Sequence, residues 1–70
     1  MNEDDYYKAV GKRIRESRLR QGMTQSALGQ KLHISRPSVA NIEAGRQRVQ
    51  IHFLYQIASE LETTITDLLV

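Results

Sequence analysis

Cysteine and tryptophan are absent from this chain, proline occurs once, and only four residues are aromatic, three tyrosines and one phenylalanine. The missing cysteines remove disulfides and thiolate metal sites, which fits a reducing compartment. No apolar run approaches the roughly 20 residues that a membrane helix needs. Glu3, Asp4 and Asp5 near the start argue against a secretory signal, so neither a leader nor a membrane partner is expected. Basic residues are missing from both ends: all ten Lys and Arg fall within residues 8–48, where only Glu16 and Glu43 oppose them, while each flank carries three acids. The net charge of +2 therefore conceals a strongly basic centre between acidic ends, the distribution expected where one face meets a polyanion. Two histidines without cysteine companions or metal-ligand spacing, His33 and His52, make no metal site. The serines lack a nucleophile-elbow context and the four glycines form no phosphate cradle. No catalytic constellation, metal or cofactor is expected.

Seventy residues set the scale of one domain, residues 1–70, that buries only about 60% of its unfolded surface. No strand pattern, repeat or heptad run is present, so the domain should be all-α. Its central stretch is Thr24–Gly45. Thr24 is suited to N-cap a helix over Gln25–Leu32, with Leu28 and Leu32 as its i, i+4 stripe. Ser35 offers a second cap, Pro37 suits a first helical turn, Val39 and Ile42 form an apolar pair, and Gly45 is a natural stop. That predicts a second helix over Arg36–Ala44. Only His33 and Ile34 separate the first helix from the cap of the second, so the axes must cross steeply. Gly29 lies where the helices approach, and a side chain larger than a methyl would hold them apart.

Before this pair, Asp4 or Asp5 could cap a helix continued by Val10, Ile14 and Ser17 on one face until Gly22. After it, Ile51, Leu54, Ile57, Ala58 and Leu61 trace one face of a helix over Gln50–Leu61. Thr64 and Asp67 have capping-box spacing for a short fifth helix that carries Ile65, Leu68, Leu69 and Val70.

Gln25, Leu28, Gly29, Leu32, Ile34, Ser35, Val39, Ile42, Glu43 and Gly45 together resemble the helix-turn-helix of phage repressors, Cro-like proteins and their bacterial regulator relatives. Gly11, Ile14 and Arg18 before them, and Leu54, Ile57, Ala58, Leu61 and Leu68 after them, extend the likeness over nearly the whole chain. Two positions depart from the family pattern. His33 stands where glycine is usual, at a site expected to need positive φ, and Gly29 stands where alanine is more common.

The resemblance implies a five-helix, lambda-repressor-like domain that binds double-stranded DNA in the cytoplasm, associated with the nucleoid, without a small-molecule ligand. Arg36, Pro37, Ala40 and Asn41 fall where the family reads bases. Thr24, Gln25, Ser35, Ser38, Arg46 and Arg48 fall where phosphates are held. Arg18 and Glu43 fall where the family joins its first and third helices by an ion pair. Phe53, Tyr55, Leu68, Leu69 and Val70 are expected to form a homodimer interface, because they place apolar surface at the edge of a small domain. A phage repressor or Cro, a restriction-modification controller and an antitoxin-like autorepressor all fit. The alternatives are a protein-interaction module of the same fold, such as an adaptor or antitoxin-type partner binder, and the DNA-binding fragment of a larger regulator.

Overall fold

The computed structural model describes residues 1–70 as five helices without strands: α1 Glu3–Arg20, α2 Gln25–Leu32, α3 Arg36–Glu43, α4 Ile51–Glu60 and α5 Ile65–Leu68. The first helix begins earlier than Asp4 or Asp5 would allow as caps. Asn2 is the cap: its side chain accepts from the Asp5 N–H at 3.0 Å, and the Asp5 carboxylate accepts from the Asn2 N–H at 3.2 Å. This reciprocal box leaves Glu3, Asp4 and Asp5 in the first turn, where the helix dipole favours negative charge. The predicted caps Thr24, Ser35 and Thr64 each accept a backbone N–H three residues on. Asp67 does not complete a box with Thr64; its carboxylate accepts from the Thr63 hydroxyl at 2.7 Å instead.

Four helices end in one and the same way. After each, a left-handed residue donates its N–H to a carbonyl three positions back, and the next residue donates to one five positions back, a Schellman closure that satisfies the last carbonyls. The left-handed residues are Gly22 (φ +71°), His33 (+59°), Gly45 (+76°) and Glu62 (+54°). Glycine enters this region freely and the other two are strained there.

Ten apolar side chains form the core: Ile14 from α1, Leu28 and Leu32 from α2, Val39 and Ile42 from α3, Leu54, Ile57 and Ala58 from α4, then Leu61 and Leu68. Two expectations about this core are overturned. Leu68, assigned to a dimer surface, is completely buried because α5 folds back against α1 and α4. Ile51, counted in the buried stripe of α4, is 60% exposed. It is the first residue of that helix, where the core's edge is covered by Val49 and Phe53.

Candidate nucleic-acid interface

The second helix of the central pair has two unlike faces. Val39, Ile42 and Glu43 are buried, whereas Arg36 and Pro37 are exposed and Ala40 and Asn41 are half-exposed beside them. Positions i, i+1, i+4 and i+5 share one side of a helix, so the four residues assigned to base reading form one continuous surface. Arg36 opens α3 with Pro37 in its first turn, and both are exposed.

Two glycines hold α3 in place. A methyl group on Gly11 would collide with the Ile42 carbonyl oxygen and stand 2.5 Å from that of Glu43, so α1 crosses α3 backbone to backbone. At Gly29 a methyl group would lie 2.8 Å from the Ile34 carbonyl oxygen. The approach of the turn to α2 is thus closer than the sequence pattern suggested: alanine itself would crowd it.

Arg18 and Glu43 complete the attachment. Arg18 Nε donates to one Glu43 carboxylate oxygen at 2.7 Å and Nη2 donates to the other at 3.0 Å, a bidentate pair whose side chains are 7% and 3% exposed. Arg18 Nη1 donates to the Met23 carbonyl at 2.8 Å, and Gln25 Nε2 donates to Glu43 at 3.2 Å. One network therefore fastens α1, the entry to α2 and the end of α3. Gln25, assigned to phosphate, has one amide N–H committed to this pair.

The remaining phosphate candidates are differently engaged. Thr24 and Ser35 act as caps, and the Ser35 hydroxyl donates to that of Ser38 at 3.0 Å. Arg46 Nε donates to Asn41 Oδ1 at 3.1 Å, joining a phosphate candidate to a base-reading one. Arg48 turns towards the acidic start of α1. It pairs with Glu3, lies 3.9 Å from Asp4, and stacks with its guanidinium carbon 5.2 Å from the centre of the Tyr7 ring. The hydrogen bond to Glu3, supported by the charges of Glu3, Tyr7 and Asp4, raises the Arg48 pKa above its ordinary value. Elsewhere, Arg13 and Arg20 line a hollow between α1 and α5 together with Glu16 and Asp67, and Arg13 Nη1 donates to the Asp67 carbonyl at 3.4 Å. Part of the basic charge of α1 is thereby opposed by the chain's own acids. Neither the Arg48 clamp nor the exposure of Ile51 had a sequence signal, whereas the Arg46–Asn41 pair did, since Gly45 as a helix stop already puts those two residues side by side.

The model of the helix-turn-helix family matches residues 14–68. The chain belongs to that family. An uncharacterized HTH-type transcriptional regulator of Archaeoglobus fulgidus is 34% identical over 58 residues, 83% of either chain. The restriction-modification controller protein C.AhdI from Aeromonas hydrophila superposes with a TM-score of 0.89 at 24% identity, over 97% of this chain and 99% of that one. The same fold also forms part of the hydroxypropylphosphonic acid epoxidase of S. wedmorenis, with a TM-score of 0.88 at 24% identity over 93% of this chain and 35% of that enzyme. These likenesses to solved structures show the fold, and a fold hosts more than one function. The matched family is non-enzymatic, and this chain is not an enzyme. No helix is long and apolar enough to cross a membrane.

Proposed function

We propose that this chain is a sequence-specific, double-stranded DNA-binding transcription regulator that acts as a homodimer on a two-fold symmetric operator. The observation that carries the reading is the two-faced α3: Arg36, Pro37, Ala40 and Asn41 are displayed on one side while the other is locked to α1 and α2. A helix held in that way can enter a major groove without rearranging. Arg36 is assigned to bidentate recognition of guanine, and Pro37 and Ala40 to apolar contact with a thymine methyl. Thr24, Gln25, Ser35, Ser38, Arg46 and Arg48 are assigned to the phosphates on either side, together with the N-termini of α2 and α3. For Arg48 this requires leaving Glu3.

Homodimerisation is supported by exposed apolar side chains on α4 and just beyond α5: Ile51, Tyr55, Leu69 and Val70 are 60, 57, 40 and 53% exposed. Phe53 is half-buried against the core, and the fully buried Leu68 takes no part. A restriction-modification controller, a phage repressor and an antitoxin-like autorepressor are all readings of the same geometry.

The test is selection of duplexes from a random library by the purified chain, with sedimentation measured alongside. Enrichment of a palindrome whose half-sites lie about one helical turn, roughly 34 Å, apart, by a protein sedimenting as a dimer at tens of micromolar, is the expected result. A monomer that enriches no sequence would overturn the proposal.

A further inference from the structure

The link between Arg46 and Asn41 originates in the turn that ends α3. In a Schellman closure the residue after the left-handed one comes to lie beside the residue five positions earlier, and an apolar contact commonly joins them. Here those residues are Arg46 and Asn41. The Arg46 N–H donates to the Asn41 carbonyl at 2.9 Å, the Gln47 N–H donates to it at 3.2 Å, and Arg46 Nε donates to Asn41 Oδ1 at 3.1 Å. Asn41 is held by both its backbone and its side chain.

The chemistry of the pair fixes the orientation of the amide. A guanidinium only donates, so the Asn41 atom facing it must be the oxygen, and Nδ2 with its two N–H groups is left for whatever approaches α3. An unconstrained asparagine reads adenine in the major groove by accepting from N6 and donating to N7 at once. Asn41 presents that pattern at a disadvantage, because one of the two lone pairs of its Oδ1 is taken by the Arg46 Nε–H and the adjacent cation repels a further donor. An outward amide that only donates suits guanine, whose major-groove edge offers two acceptors, O6 and N7.

We propose that Arg46 is a positioning residue for base specificity, holding Asn41 as a donor-only reader that selects guanine over adenine at one base pair of each half-site. This rests on the DNA-binding reading above. It adds that Arg46 spends Nε on Asn41 and keeps its two Nη groups for a phosphate, so one side chain couples backbone contact to base choice.

The experiment compares the wild type, Arg46→Ala, Asn41→Ala and the double variant against the selected operator, carrying each of the four bases at every position, with thermal melts to establish that all four proteins fold. The expected pattern has several parts. One base pair loses its preference in Asn41→Ala. At that pair the wild type prefers guanine. Arg46→Ala shifts the guanine-to-adenine ratio towards adenine by about tenfold, in the lower part of the range that a bidentate pair is worth. In the Asn41→Ala background, removing Arg46 changes overall affinity and salt dependence but not that ratio; a ratio that depends on Arg46 only while Asn41 is present is what a merely structural or phosphate-binding role would not produce. Arg46→Met, which keeps the aliphatic stem, should repeat the shift and serves if Arg46→Ala melts early. The inference is overturned if the wild type selects adenine there, if Asn41→Ala leaves base choice intact, or if loss of Arg46 weakens every sequence alike. Each of those results leaves selective binding standing, whereas a wild type that enriches no sequence fails at the proposed function itself.

Discussion

Replacing Glu43 by glutamine removes one charge and substitutes an NH2 group for one oxygen at a position where only donors are present. Arg18 Nε approaches one carboxylate oxygen at 2.7 Å, while Arg18 Nη2 and Gln25 Nε2 approach the other at 3.0 and 3.2 Å. Glutamine can place its single oxygen towards one side only, so on the other side N–H groups face each other. The guanidinium, with only 7% of its side chain exposed, then lacks a counter-charge, although the Met23 carbonyl still accepts from it. Breaking a buried pair by removing one partner costs about 3–5 kcal/mol. Glutamine keeps part of the hydrogen bonding, so a loss of about 3 kcal/mol is expected. A domain of this size has roughly 4–10 kcal/mol in total, and each kcal/mol moves the melting temperature by about 4–8 °C. Glu43→Gln should therefore melt at least 12 °C or so earlier by circular dichroism, with base preference unchanged in whatever remains folded. Replacing both partners, Arg18→Met with Glu43→Leu, removes the stranded charge and should recover much of the loss. If Glu43→Gln melts within 2 °C or so of the wild type, the pair is not what fastens α1 to α3. An operator preference that changes while stability does not would place Glu43 in recognition instead.

Gly11→Ala and Gly29→Ala should both destabilise by more than 1 kcal/mol or so in urea titrations. Helix propensity alone predicts a gain of nearly that size, so the sign tests the close approaches to the Ile42, Glu43 and Ile34 carbonyls. His33→Gly and Glu62→Gly should each stabilise by up to about 1 kcal/mol, because the left-handed strain released exceeds the added freedom of the unfolded chain; a loss on both would refute that. Glu3→Gln frees Arg48 from its partner and should strengthen DNA binding at low salt, an effect that fades as salt rises; weaker binding at all salt concentrations would show that Arg48 must stay on α1. The Asp67 pKa is depressed by hydrogen bonds from the Thr63 and then the Thr64 side chains. Its contribution is thus complete above the usual aspartate range and lost as pH falls through the depressed value. Thr63→Val should make the acid limb of a stability–pH profile shallower.

Much of the fold could be read from local rules, and what escaped was largely non-local. The caps Thr24, Ser35 and Thr64 and the stops Gly22 and Gly45 each follow from backbone chemistry within a few residues, whereas the positive φ of His33 was implied by the family resemblance. Asn2 as the first cap was equally local, since Asn2 and Asp5 have capping-box spacing, but the acids beside it are capping residues too. Periodicity placed Ile51 in the stripe of α4 because it lies three residues before Leu54, yet a period carries no information about where the core ends. Leu68 is buried by α5 returning onto α1 and α4, and Arg48 meets Glu3 across 45 positions; spacing along the chain encodes neither. Glu62 in the left-handed region had no signal, for glutamate has no special liking for it. In the candidate interface, the face of α3 followed from its period, whereas the state of each side chain on it depended on partners that only the folded chain supplies.

The four Schellman closures differ in what their left-handed residue packs against. Nothing lies within 4 Å of a methyl group added to Gly22, so only its backbone angle favours glycine there. His33 and Glu62 tolerate side chains in the same conformation because theirs are exposed. Gly45 differs from all three: an added methyl group would stand 2.6 Å from the Lys8 Cα, against α1 itself. The turn that ends α3 is therefore pressed onto α1, and the residues after it inherit a fixed starting point. Arg46 meets Asn41 from that point, and Arg48, two residues on, reaches Glu3 and Tyr7 on α1. A looser turn would close α3 equally well, as the other three do, but would leave Arg46 without a defined position relative to the candidate base-reading face. The packing of Gly45 against Lys8 thus connects the rigid part of the domain to the only basic side chains that follow α3.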